Sequence, residues 1–295
     1  MKYSKLFEPA NIGSLQLKNR LVMSPMHARL SEDPESRFTH RYIEYYKERA
    51  RGGVGLIITG HVKADKKIDP YPLIRRFPCL DSPSEIQFFA DLTESVHRYG
   101  CKIAIELSPG TGRLADVIWE DKWPVAPSEI PLLRMPHLKT RTLIKEEISG
   151  LVEAYGEAAG LAKQASFDVI YVHFLAYIGD QFISSLWNQR TDEYGGSLGN
   201  RMRFLLECIE SVRKHVGDNF PLIAGLPVDH GIPGGREVGE TIEIAKKLQE
   251  VGIDALHLRR GCYDAMHLLI PSCYMPDAIA VPKAEMVKKA VDVPI

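Results

Sequence analysis

The sequence predicts an α/β chain wound as a (β/α)8 TIM barrel with an N-terminal hairpin, truncated near strand seven. Three observations carry that expectation. Short apolar runs alternate along the chain with longer amphipathic stretches. The apolar runs lack the polar alternation of a half-exposed strand, as strands covered on both faces do. Repeated βα units build either a doubly wound sheet or a barrel, and a doubly wound sheet would favour a glycine-rich phosphate loop after the first strand. The turn there reads Ser24-Pro25-Met26-His27-Ala28-Arg29, with no glycine, which favours the barrel.

In chain order, residues 7–18 read as a hairpin around Gly13-Ser14, able to plug the barrel bottom. Strands are expected over residues 21–25, 54–59, 102–107, 168–173, 221–226 and 254–258, each too short and too apolar for a helix. Helices are expected over residues 37–51, 84–99, 146–164, 200–216, 241–251 and 283–291. In the third of these, Ile148, Leu151, Val152, Tyr155, Ala158, Ala159 and Ala162 recur at three- and four-residue spacing and make one apolar face. The helix ending at Val251 meets Gly252, a residue suited to the left-handed position after a helix. A seventh strand is expected to begin at Val293, so residues 1–295 are read as one barrel domain, incomplete at its C-terminal side. Residues 119–142 are proline-rich and long for a loop, and long βα loops on a barrel tend to carry function.

Composition narrows the function. With 45% apolar and 25% charged residues the chain of 295 is an ordinary globular one. A net charge of −1 gives no pull toward nucleic acid or an anionic membrane, and neither is expected as a partner. Five scattered cysteines without a C-x-x-C pair argue against a zinc ribbon, an internal iron–sulfur motif or a disulfide framework. The polar start and the lack of a long apolar stretch argue for a cytoplasmic protein.

Several ordered blocks carry a resemblance. They are Leu6-Phe7-Glu8-Pro9 with Leu17 through Met26, then Gly52-Gly53-Val54-Gly55-Leu56-Ile57-Ile58-Thr59-Gly60, then Leu107 through Arg113. Pro124-Val125-Ala126-Pro127-Ser128, Asp180-Gln181-Phe182 and Asn188 through Ser197, with Asn200-Arg201 and Arg203-Phe204, complete them. In these the chain resembles the old yellow enzyme family of NADH:flavin oxidoreductases, nearest the branch of 2,4-dienoyl-CoA reductases and bile-acid-type enoate reductases. The resemblance runs over nearly the whole chain. It implies a barrel that binds FMN over its strand ends and moves hydride from NAD(P)H through the flavin to an activated C=C bond. The substrate would be a small enone or acyl-CoA molecule, and a homo-oligomer stays open. An iron–sulfur cluster and FAD are implied only if a longer chain exists, since larger relatives carry them downstream.

The same resemblance assigns positions. Ser24, Pro25 and Met26 match the first-strand turn along the flavin; a plain strand-to-loop turn is the other reading. Gly60 matches a small residue that lets the ring approach, and also suits a simple backbone turn. Glu106 stands where the family has a glutamine on the flavin's pyrimidine edge: it can accept from the ring N3–H but donates nothing and repels an anionic reduced ring. Gly225 replaces an arginine near flavin N1 and supplies no charge. His173 matches the first of two substrate anchors, and the second has no counterpart in Phe174-Leu175-Ala176. Tyr177 matches the proton donor, with Ala176 in place of a glycine; a phenol stays protonated at neutral pH and suits that work. Tyr263 lies at the next strand end and could face the substrate. Arg259-Arg260 suit an anionic group or a solvated loop, and the 189–196 motif reads as a structural brace. The altered positions leave a second reading: a non-catalytic barrel, or an inactive fragment of a longer flavin and iron–sulfur reductase.

Overall fold

The computed structural model describes residues 3–28, 30, 38–69, 77–115 and 123–295. The elements in chain order are β1 (Ala10–Ile12), β2 (Leu15–Leu17), β3 (Val22–Met23), α1 (His40–Arg51), β4 (Leu56–Ile58) and β5 (Val62–Lys63). Next come α2 (Ile86–His97), β6 (Lys102–Ser108), β7 (Val125–Ala126), β8 (Arg141–Thr142), α3 (Lys145–Gln164), β9 (Val169–His173) and α4 (Ile178–Ile183). The last are α5 (Leu198–Val216), β10 (Leu222–Asp229), α6 (Val238–Glu250), β11 (Ala255–Arg260), α7 (Met266–Leu269) and α8 (Val281–Lys288). Every strand expected through residue 258 and every expected helix forms, with ends moved by a few residues. The helix start expected at Arg37, the turn residue Arg29 and residues 119–122 of the long loop lie outside the described residues. The strand expected from Val293 does not form; that segment meets β11 through the Leu256 N–H, which donates to the Pro294 carbonyl at 2.9 Å.

The strands β3, β4, β6, β9, β10 and β11 hydrogen-bond in that order, all parallel, with β5 joining β6 above β4. Sheet order therefore equals chain order. Each βα unit lays its strand on the same side of the one before, whereas a doubly wound sheet reverses direction partway. The result is a parallel half-barrel. Among the described residues the two end strands, β3 and β11, do not pair with each other.

Alternate residues separate two cores, as the period of a strand requires. Ile57, Ile103, Ile105, Ile170, Val172, Ala224 and Leu226 point outward and pack under helix residues such as Leu151, Tyr155, Phe204 and Ile244. Leu56, Ile58, Ala104, Val169, Tyr171, Ile223 and Ala255 point inward and cluster with Ile12 and Leu17 of the β1–β2 hairpin. The hairpin thus closes the inside of the half-barrel at its N-terminal end, as the sequence led us to expect. Burying each such aliphatic side chain contributes about 1.5–3 kcal/mol. Continuing the same inward parity toward the strand C-termini brings Glu106, His173 and Arg259 to the open end.

Candidate active site

At that open end lies a cavity of about 480 Å³. Its wall takes Pro25 and Met26 from the turn after β3, His61 after β4, Glu106 from β6, His173 from β9, Leu175 and Tyr177 after it, Arg259 from β11, and Tyr263 with Leu269 beyond. Six of the nine expected site residues therefore share one cavity: Pro25, Met26, Glu106, His173, Tyr177 and Tyr263. Ser24 lines a different cleft, beside the hairpin and β11. Gly60 and Gly225 line neither cleft.

Both glycines have local packing reasons. A Cβ on Gly60 would run into the Met26 backbone, so the absent side chain lets the turn after β3 close against the end of β4. Its N–H donates to the Tyr46 hydroxyl at 2.7 Å. A Cβ on Gly225 would overlap the Tyr171 hydroxyl. The space inside β10 is thus filled from β9, and Tyr171 uses it to reach Nδ1 of His257 at 2.9 Å.

Tyr177 is presented by an unusual turn. Ala176 sits in the left-handed region at φ +67°, a conformation that costs a residue with a side chain roughly 1 kcal/mol. Surrounding bonds over-determine it. The Ala176 N–H donates to Asp180 Oδ2 at 3.0 Å, and Asp180 is itself held by His230 at 3.2 Å and Arg236 at 3.1 Å. Burial alone would raise the Asp180 pKa; the His230 and Arg236 charges outweigh it and hold the carboxyl below the usual range. Tyr177 then opens the short helix α4, with its hydroxyl 3.3 Å from that of Tyr263. Tyr263 is placed from the other side: Arg113, after β6, donates to both carboxylate oxygens of Asp264 at 2.7 and 3.2 Å.

Beneath the tyrosines, Glu106 Oε1 lies 2.8 Å from His173 Nδ1, close enough for an ion pair but out of line for a hydrogen bond. The backbone under this pair is pinned. Thr59 Oγ1 accepts from the Glu106 N–H at 3.0 Å, and the Tyr155 hydroxyl, from α3, accepts from the His173 N–H at 3.3 Å while donating to the Leu107 carbonyl at 2.7 Å. His61 is the site residue that sequence reasoning missed. The expected strand end stopped one residue short of it, at Gly60, although a histidine just past a strand C-terminus was the available signal.

The titrating groups near the floor give a pH dependence. Burial first, and Arg259 second, lower His257 from its ordinary 6.5 to about 4. The fold keeps it neutral, while the unfolded chain takes up a proton below 6.5. Stability is therefore full above that value and falls as pH drops from 6.5 toward about 4, by about 1–3 kcal/mol from a shift of this kind in a half-buried group. Burial pushes His61 in the same direction. Urea midpoints across this range should fall with pH for the wild type and less steeply for His257→Gln; an unchanged slope in the variant removes His257 as a source.

The 189–196 motif braces loops, as expected. Arg190 pairs with Asp192 at 2.6 Å and donates to the Pro127 and Leu143 carbonyls at 3.1 and 2.6 Å. Among the described residues no group of histidine, cysteine and carboxylate side chains is arranged to hold a metal ion, and no helix is long and apolar enough to cross a membrane.

A cavity ringed by titratable side chains, at the C-terminal ends of a sheet wound in one direction, is where barrel enzymes keep their chemistry. This chain belongs to the NADH:flavin oxidoreductase / NADH oxidase family, whose profile matches residues 5–295. It is 39% identical to the cinnamate reductase of Clostridium sporogenes over 100% of its own length and 47% of that protein. Among solved structures, 2-naphthoyl-CoA reductase in complex with 2-naphthoyl-CoA superposes with a TM-score of 0.88 at 28% identity, over 98% of this chain and 45% of that one. The old yellow enzyme homologue of Zymomonas mobilis gives 0.80 at 28% identity, over 98% and 81%, in keeping with the resemblance seen in the sequence. The chain spans about half the length of curated relatives such as the cinnamate reductase. FMN as the flavin and NAD(P)H as the hydride donor are the cofactors of this family of oxidoreductases.

Proposed function

We propose that this chain is the FMN-binding, substrate-reducing domain of an NAD(P)H-dependent reductase of activated C=C bonds, of the enone or enoyl-thioester type. The observation that carries the proposal is the placement of the Tyr177 hydroxyl over a cavity whose floor holds Glu106, His173 and Arg259. Those side chains fit a flavin. The pyrimidine edge of the ring presents an N–H donor between two carbonyl acceptors; Glu106 is an acceptor, and Arg259, facing the same cavity from β11, is a donor. Arg259, one inward position beyond His257, the register partner of Gly225, also brings positive charge to the cavity and offsets the repulsion of Glu106 toward an anionic ring. Pro25 and Met26 would lie along the ring, with Gly60 keeping their backbone in place. When bound, the flavin supplies the hydride chemistry.

The protein's own groups supply the rest. His173 orients the substrate carbonyl and stabilises the charge that develops on its oxygen. Tyr177 delivers a proton to the carbon beside that carbonyl, and Tyr263, in contact with it, hands it the next one. Leu175, Leu269 and Ile270 exclude water from the alkene. A closed eight-stranded barrel and a cytoplasmic location, where its five cysteines stay as thiols, complete the reading. A non-catalytic barrel is disfavoured, because the tyrosine, the histidine and the cavity they face are all in place. The test is the visible spectrum of the purified protein loaded with FMN. Absorbance near the flavin bands should bleach with NADH or NADPH and return on adding an enone; flavin that binds but never bleaches, or never reoxidises with an alkene, ends the proposal.

A further inference from the structure

His61 sits directly after Gly60 at the end of β4, with a relative exposure of 3%. Neither of its ring nitrogens has a hydrogen-bond partner among the described residues. Leaving such a group buried and unpaired costs about 1–3 kcal/mol, so it calls for a reason. The ring is not tucked into a core. It lines the cavity, 4.6 Å between ring centres from Tyr177, 4.5 Å from Phe77 and 5.9 Å from His173. The charged groups nearby are already committed elsewhere: Lys63 pairs with Asp69 at 2.6 Å, and Glu106 lies against His173. No carboxylate of the described residues pairs with His61, and burial together with its histidine and lysine neighbours keeps it neutral. A neutral imidazole carries one N–H donor and one acceptor.

Resting on the function proposed above, we infer that His61 is a substrate-contacting residue, its imidazole N–H donating to the carbonyl oxygen of the alkene substrate opposite the bond from His173. Leu175 is apolar in the stretch between His173 and Tyr177, so β9 offers a single polar anchor. His61 supplies the second from the turn after β4, its ring centre 5.9 Å from that of His173 in the same cavity. A donor that stays neutral can strengthen its bond as negative charge grows on the oxygen, without giving up its proton; the proton for carbon remains with Tyr177.

The test separates the two half-reactions of the FMN-loaded protein. His61→Phe keeps ring volume and removes both nitrogens; His61→Gln keeps a donor of similar reach. In stopped flow, His61→Phe should leave the rate of flavin bleaching by NADH within about twofold, and slow reoxidation by an enone at least about tenfold. The dissociation constant of the saturated ketone product, read from its perturbation of the flavin spectrum, should weaken by a similar factor. His61→Gln should recover most of both. If His61→Phe reoxidises with the enone as fast as wild type, or if bleaching by NADH and reoxidation slow together, the inference is overturned while the proposed function stands. If wild type itself is not reoxidised by any alkene, it is the proposed function that fails.

Discussion

Tyr177→Phe should lower turnover of an activated alkene by about 10²–10⁴-fold while leaving reduction of the flavin by NADH nearly unchanged. The hydroxyl faces the cavity and touches a second hydroxyl, that of Tyr263, at 3.3 Å. The substitution removes one oxygen and keeps the ring that packs against His61 and His173, so the fold has little to lose. Single-turnover reoxidation with an enone in D₂O and H₂O would separate the steps: the wild type should show a solvent isotope effect on reoxidation and none on bleaching by NADH. Tyr263→Phe should have a smaller effect, because in the proposed reaction Tyr263 only resupplies the proton. A Tyr177→Phe protein that reduces the alkene at the wild-type rate would remove the phenol as the acid and point to water or another side chain.

Asp180→Ala should cost about 3–5 kcal/mol of stability, the usual penalty for taking one partner from a buried ion pair. Asp180, His230 and Arg236 are all fully enclosed. The guanidinium is already short of partners, with Nε and Nη1 unpaired among the described residues, so losing the carboxylate strands a cation. The loss reaches the site as well, because Asp180 holds the N–H of Ala176 in its left-handed turn. Asp180→Asn keeps the shape and one acceptor, and should fall between wild type and alanine. Urea denaturation followed by far-ultraviolet circular dichroism measures this. A cost below about 1 kcal/mol for the alanine variant would mean that water satisfies Arg236 and that the triad is not a support of the turn.

The strands and helices were legible because their signals are local. Ile103, Ile105 and Val172 are apolar in runs, and the faces of α3 and α5 recur at helical spacing. What escaped was either too short to have a period or made by side chains meeting from different strands. α4 spans six residues and α7 four, and β5, β7 and β8 two each. The packing of Tyr171 into the space beside Gly225 joins residues 54 positions apart, and no pattern along the chain announces it. The site itself was legible through motif resemblance more than through physics: Tyr177 and His173 stood out by their match, while His61, which matched nothing, had only its place just past a strand end to mark it until β4 and β9 faced the same cavity. Arg259 read more readily as a solvated loop cation until the parity of β11 turned it inward.

The Tyr171–His257 contact spans β10 between the hairpin's apolar cluster and the polar cavity. It acts as a partition between two storeys of the same strands. On β9, Val169 belongs to the lower storey, Tyr171 to the dividing floor and His173 to the upper one. Selection can therefore rework the upper residues of a strand, and with them the choice of substrate, while the lower residues go on holding the plug. A lineage descended from this fold could exchange cavity residues such as His61 and His173 many times over and leave the foundations untouched.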